Sequence, residues 1–374
     1  MGTIMEQVAN VEPQKRFGQM IRDLRVEYEK RGLPLMGYFE LTPHCNLDCK
    51  MCYIHRSDGK YPRRTLTGEE WIDIIDQAVD LGLMQATLTG GECTLHPDFK
   101  RIYTHLKKRG VYVSVLTNGT LLTQEMIAFL ADNPPILLQI SVYGSSPEVY
   151  ERVTGDANAF YKVDTALRAL KETTLLPQIE LTISKYNLDD MINLWQYAHS
   201  IVDTRVIVDC DLFEPTVSSG HNFEEYALSY DEQLFVRRTV LELLGAEPAQ
   251  LTEEDYIAEP IDPSEKKQDK LPCAAGHSLF HIGYDGIMMP CGSFPLAMSD
   301  VLANGVREAW FEINFAARNY RRSEECMSCE FLGQCKFCAA RYFNASAKNV
   351  RCEEGMSCNK QLRMLIPILY KKSK

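Results

Sequence analysis

The chain has 374 residues, 45% of them hydrophobic and 24% charged, with a net charge of −11. Such a length supports a sizeable core and two domains, while the acidic balance, without a dense Lys/Arg cluster, excludes electrostatic capture of nucleic acid and favours a neutral or basic substrate such as a peptide. No apolar run approaches the roughly 18–20 residues of a membrane span, and the first residues lack the order of an export signal, so a cytoplasmic protein bound to no membrane is expected.

Residues 1–35 read as an amphipathic helical segment. From residue 36 to 214, six strand-like apolar runs ("LMGYFEL", "MQATLTG", "VYVSVLTNG", "PILLQISVYG", "QIELTISKYN", "TRVIVDCDLF") alternate with amphipathic helical stretches. Near-continuous apolar strands joined by helical crossovers predict an α/β fold with a parallel sheet covered by helices, either doubly wound or closed into a barrel. In both, loops at the carboxyl ends of the strands build the site. The first strand is followed by "CNLDCKMCYIH" (45–55), the second by "GGEC" (90–93), the third by "TNG" (117–119) and the fourth by "SVYG" (141–144), so all four stretches are expected at one mouth.

Residues 215–268 form an acidic, helical linker holding four of the 17 prolines, and eight of the 13 cysteines fall in residues 269–374. There "IGYDGIMMPCG" predicts a hairpin turning at Asp285 and Gly286, and the chain closes on a helical tail expected to dock on the preceding domain.

Clustered thiols in a chain without an export signal read as metal ligands rather than disulfides. A structural zinc site wants four ligands, and His44 or His55 could supply the fourth beside Cys45, Cys49 and Cys52. A four-iron four-sulfur cluster held by three thiolates instead leaves one iron open for substrate or cofactor. The position at a strand end favours the second.

The C-x3-C-x2-C triplet after the first strand resembles the signature of the radical S-adenosylmethionine (SAM) superfamily. That resemblance implies a partial (β/α)6, TIM-like barrel, with Cys45, Cys49 and Cys52 holding the catalytic 4Fe-4S cluster. It implies that SAM is cleaved reductively to methionine and a 5′-deoxyadenosyl radical that abstracts a substrate hydrogen under anaerobic conditions. It places Gly90, Gly91 and Glu92 on the methionine amino group, Tyr53 at the adenine, Ser141 at the ribose and Asn118 in a loop near the cofactor. Arg152 and Asn187 occupy familiar positions. Cys93, where the family often has proline, reads as packing.

The late cysteines resemble the SPASM extension of the same superfamily: Cys273, then Gly286 and Cys291, then Cys326, Cys329, Cys335 and Cys338, then Cys352 and Cys358. The spacing before Cys338 is one residue short of the usual form. Two auxiliary 4Fe-4S clusters are implied, making three in all. One would use Cys273, Cys291 and Cys338, the other Cys326, Cys329, Cys335 and Cys358; Cys352 completes the first, or that cluster keeps an open iron. A zinc ribbon is the alternative for this module.

Within the superfamily, sulfatase-maturating enzymes usually carry an Asp after the hairpin cysteine, where it accepts a proton; here that residue is Gly292. Small-molecule dehydrogenases with a shortened extension tend to bind one auxiliary cluster. Tyr143 in "SVYG" and the opening "CAAGH" (273–277) resemble maturases of ribosomally made peptides, which form thioether or carbon–carbon crosslinks or epimerise residues. Peptide maturation is therefore expected, with sulfatase-type protein oxidation and small-molecule dehydrogenation as alternatives, and a non-enzymatic zinc or iron–sulfur scaffold as the reading from a different class. Asp209, Asp211, Glu214, His277 and Asp285 are acid or base candidates, each also readable as a cap, turn or solvated residue. The resemblance implies a flavodoxin or ferredoxin as reductant, and a separate protein is expected to bind a leader peptide, because about 35 N-terminal residues are too few for such a domain.

Overall fold

Six strands lie side by side in chain order: β1 (Met36–Glu40), β2 (Gln85–Thr89), β3 (Tyr112–Thr117), β4 (Leu137–Val142), β5 (Gln178–Thr182) and β6 (Val206–Asp209). Each neighbouring pair is parallel, which requires a crossover between strands. Helices supply it: α1 (Gly68–Leu81), α2 (Phe99–Lys108), α3 (Gln124–Asp132), α4 (Pro147–Thr154), α5 (Asn158–Lys171) and α6 (Met191–Ile201). This computed structural model describes residues 23–52, 54, 61–201, 205–210, 212, 222–244, 271, 273–322, 324–327, 338 and 340.

Local signals start and stop the helices. Thr67 and Glu70 form a reciprocal capping box on α1, and Gly82 closes it with φ 122°. Thr123 caps α3, while Ser146 caps α4 and Gly155 ends it in the left-handed region. Among the described residues, no helix is long and apolar enough to cross a membrane.

Beyond β1 the sheet continues. β7 (Leu279–Ile282) pairs parallel to β1, and β8 (Ile287–Met289) and β9 (Ser299–Asp300) follow antiparallel, giving the order β6-β5-β4-β3-β2-β1-β7-β8-β9. The cysteine-rich stretch thus adds strands to the barrel sheet itself. The hairpin turns where the sequence placed it, with Gly286 at φ 83° and its N–H bonded to the Gly283 carbonyl at 2.9 Å. Helix α7 (Tyr230–Leu243) lies in the expected linker, and α8 (Val306–Asn319) packs on α1 and on β8 and β9.

Alternation along the strands gives the sheet two unlike faces. One carries Phe39, Ala86, Leu88, Val113, Val115, Ile140, Ile179, Leu181, Phe280 and Ile282, all fully buried under the helices. Phe39 meets Trp71 of α1 and Phe280 of β7 edge-on at 5.9 and 5.7 Å, and Phe280 meets Trp310 of α8 at 6.2 Å. Each ring contributes on the order of 2–3 kcal/mol of burial, so these four tie barrel and extension into one core. The other face carries Tyr38, Glu40, Thr87, Thr89, Gln139, Ser141, Glu180, Thr182, Asp209 and His281, mostly half-buried. It is the polar interior.

Candidate active site

Residues from five strands and the cysteine loop line one cavity of about 310 Å³ at the carboxyl ends of β2 to β6. That is the lower end of the volume expected for a small-molecule site. Cys45, Cys49, Cys52, Gly90, Gly91, Asn118, Ser141, Tyr143 and Asp209 all face it, so four stretches far apart in the chain do meet at one mouth.

The glycine pair is dictated by contact. The loop after β2 lies directly on the loop after β1: Gly91 N–H donates to the Thr42 carbonyl at 2.8 Å and Glu92 N–H to the His44 carbonyl at 2.9 Å. A Cβ on Gly90 would come within 2.5 Å of the Thr42 oxygen, and one on Gly91 within 2.4 Å of the His44 oxygen. Only glycine permits this approach. Gly90 also has φ 143°.

Glu92 does not line the cavity. Its carboxylate is buried behind the wall, where Oε1 accepts from Thr94 N–H (3.1 Å), Thr94 Oγ1 (2.5 Å) and Thr117 Oγ1 (2.8 Å), and Oε2 accepts from Asn118 N–H (2.8 Å). Burial pushes its pKa up and these bonds pull it back. Glu92 thereby fixes Asn118, whose Nδ2 donates to Asn46 Oδ1 at 3.0 Å and approaches Cys45 Sγ at 3.7 Å. Cys93 is fully buried, its thiol directed at the Leu116 carbonyl at 3.3 Å. That is packing, as its sequence context suggested.

Cys45 and Cys49 are held in a poor environment for single thiolates. Burial pushes Cys49 well above the ordinary thiol range, Cys52 and Cys45 add to the shift, and a hydrogen bond from Tyr143 opposes it. Cys45 is also raised, first by burial. Such groups ionise when a cation gathers them. Among the described residues no three His, Cys, Asp or Glu side chains close on a single-ion site.

Several lining residues had no motif to announce them. Gln139, Glu180 and Thr182 face the cavity from β4 and β5. The Gln139 amide donates to Glu180, whose carboxyl is raised by burial and by Asp209. Asn187 is fully buried and donates to the Tyr143 and Thr182 carbonyls at 2.9 Å each, clamping the loops after β4 and β5 together. For Gln139, Glu180 and Thr182 the only signal was strand alternation.

Arg152 lies elsewhere. It pairs with Asp189 at 2.6 Å and borders a separate surface groove with Lys185, Tyr186 and Phe235, because α4 turns it outward. Tyr53, Asp211, Glu214, Cys329, Cys335, Cys352 and Cys358 lie outside the described residues, as does the side chain of Cys326. Asp285 is held in its turn, accepting from Ile287 N–H at 3.3 Å and facing Arg63 at 3.8 Å. His277 is half-buried at the start of the extension.

A second thiol group stands in that extension. Cys291 is raised by burial, then by Cys338 and Cys273, and Cys273 by burial and then by Cys338. The three are therefore within electrostatic reach of one another, although they are 65 residues apart in sequence from first to last.

The first site suits the group its signature implies. Three soft donors at one cavity wall match an iron–sulfur cluster, and Gly90 and Gly91 bring bare backbone against the same space. A cluster bound there together with SAM supplies one-electron cleavage of the sulfonium. The chain's own part is to orient: Asn118 and Tyr143 steady Cys45 and Cys49, and Ser141 presents a hydroxyl from β4.

The chain is similar to known proteins. The chain is 25% identical over 330 residues to the AdoMet-dependent heme synthase of Methanosarcina barkeri, covering 84% of this chain and 93% of that one. It is 26% identical over 358 residues to the PqqA peptide cyclase of Bradyrhizobium diazoefficiens, covering 88% of each. In fold it is similar to Streptococcus suis SuiB bound to the precursor peptide SuiA, with a TM-score of 0.69, 16% identity, and coverage of 95% of this chain and 90% of that one. Residues 39–194 match the radical SAM superfamily, so this part of the chain is a radical SAM domain.

Proposed function

We propose that the enzyme matures a ribosomally made peptide, removing a substrate hydrogen and forming a thioether or carbon–carbon crosslink, or epimerising a residue. The observation that carries this reading is the single cavity shared by the cysteine triplet, the glycine pair and Ser141, set beside a second thiol group in an extension of the same sheet. Likeness to a peptide cyclase and to a fold that holds a precursor peptide supports the choice of substrate. In this reading Cys45, Cys49 and Cys52 hold the SAM-binding cluster; Gly90, Gly91, Asn118 and Ser141 contact SAM; and the late cysteines hold two auxiliary clusters. A flavodoxin or ferredoxin supplies electrons, and a separate protein presents the leader, in the cytoplasm.

Likeness to the heme synthase favours a second reading, a tetrapyrrole substrate. One experiment separates them. Anaerobically reconstituted protein, carrying about 12 iron atoms if three cubanes form, is incubated with SAM, dithionite and either candidate precursor peptides or an iron porphyrin, following mass and deuterium transfer into 5′-deoxyadenosine. A peptide losing two mass units, or keeping its mass in H2O and gaining about one unit in D2O, supports maturation. Conversion of the porphyrin alone overturns it, and colourless, zinc-loaded protein that leaves SAM intact overturns both.

A further inference from the structure

Glu40 and His281 form a pair that the site described above does not use. Glu40 ends β1 and His281 stands in β7, with Nε2 of the ring 3.4 Å from Oε2 of the carboxylate. Each side chain keeps 14% of its exposure, which strengthens the coupling yet leaves both reachable. Their strand neighbours Phe39, Phe280 and Ile282 are fully buried on the helix side, so alternation turns Glu40 and His281 to the polar interior.

The place of this pair is its main interest. Register sets Glu40 beside Thr89, which lines the cavity of the cysteine triplet. The Cε1 side of the ring lies against Gly292, next to Cys291 of the second thiol group. A Cβ at 292 would lie 3.0 Å from Cε1, 3.1 Å from Nδ1 and 3.4 Å from Nε2 of His281, so a side chain there would crowd the ring where glycine does not. The pair therefore stands beside a residue that lines the first cavity at one end and beside the neighbour of Cys291 at the other.

We propose that His281 and Glu40 are the acid–base pair of the peptide reaction: Nδ1 of His281 takes the proton of a substrate thiol or hydroxyl, and Glu40 is the positioning residue that accepts from Nε2–H. This rests on the maturation reading above. The step moves one proton and no electron: the substrate S–H or O–H bond breaks, Nδ1–H forms, and the Glu40 carboxylate offsets the imidazolium charge. A carboxylate on one nitrogen fixes the tautomer and leaves the other nitrogen as the acceptor. The other titratable groups around the ring are Tyr38, its register partner on β1; Glu180, in electrostatic contact with Tyr38 across the interior; Cys291; and Asp285, which its turn and Arg63 already occupy.

The test uses the full chain with clusters reconstituted, SAM, dithionite and the precursor peptide. In His281→Ala the ratio of peptide product to 5′-deoxyadenosine falls by roughly 100-fold, the usual worth of a positioned base, and in Glu40→Gln it falls less. Gly292→Asp in the His281→Ala background grows a carboxylate into the space of the lost ring and restores product. An unchanged ratio in His281→Ala, or no rescue by Gly292→Asp, overturns the pair. Nitrogen NMR of His281 in the wild-type chain reads the tautomer without any substrate: Nε2–H is expected, and Nδ1–H overturns the proposal whichever substrate proves correct. A wild-type chain that makes 5′-deoxyadenosine but converts no peptide overturns the maturation reading instead.

Discussion

The carboxylate of Glu92 accepts the backbone N–H of Asn118 at 2.8 Å, joining the loop after β2 to the loop after β3 behind the cavity wall. Two Thr117 and Thr94 hydroxyls converge on its other oxygen, so Glu92 holds the site together from behind.

Replacing Glu92 with alanine therefore strips partners from several buried donors at once. We expect a loss of about 3 kcal/mol, the upper range for buried polar groups left unpaired, read as a lower urea midpoint of the full chain. Cluster retention should fall with it. An unchanged midpoint would contradict the bracing role.

Gly91→Ala places a methyl 2.4 Å from the His44 carbonyl, a backbone atom that cannot swing away. Overpacking of this kind costs typically 1–3 kcal/mol, and here the strain falls on the loop that carries the cysteines. Iron content and SAM cleavage should drop more than overall helicity, measured by circular dichroism.

Serine at Cys45, Cys49 or Cys52 removes a soft ligand from the cavity wall with little change in volume. Each variant should remain folded, lose the iron of the first site and release no detectable 5′-deoxyadenosine. Serine at Cys273 or Cys291 should leave SAM cleavage largely in place. Full cleavage without any one of the triplet would refute its assignment.

The raised thiols give a sign for pH. Burial holds Cys49 and Cys45 protonated above the ordinary range, so gathering them on a cluster must release protons. Loading should strengthen as pH rises and weaken as it falls. Calorimetry in two buffers of different ionisation enthalpy should show proton release; identical heats would rule it out.

Glu180 carries the opposite lesson for stability. Its pKa in the fold is raised by burial and by Asp209, so the native chain binds a proton more readily than the unfolded one. Stability then falls as pH climbs through the window above the ordinary carboxylate value. Glu180→Gln, which keeps an acceptor for Gln139, should raise the melting midpoint at pH 7 and leave it unchanged near pH 4, where the carboxylate is protonated in both states.

The fold was legible because parallel strands and their crossovers write a strong periodic signal, and the thiol triplet was legible because its spacing is fixed by ligand chemistry. Glu92 was assigned to the cofactor on its motif, yet its carboxylate points into the wall; a motif gives position in the chain, not direction of a side chain. Arg152, placed by resemblance among the cofactor-binding residues, borders a separate groove. Gln139 and Glu180 were invisible because a single polar residue on a half-buried strand looks like any other. Contact between Glu40 and His281 joins residues 241 apart in sequence, and only the pairing of β7 with β1 brings them together.

That pairing leaves β1 with a hydrogen-bonded neighbour on each side. Local opening begins where backbone ladders are fewest and ends where they are densest, so the strand that hands the chain to Cys45 belongs among the last to exchange its amide hydrogens with solvent. Phe39 and Leu41 should stay protected for as long as the molecule stays folded. Iron could then leave and return, and peptides arrive and depart, without the anchor of the thiol loop ever coming undone.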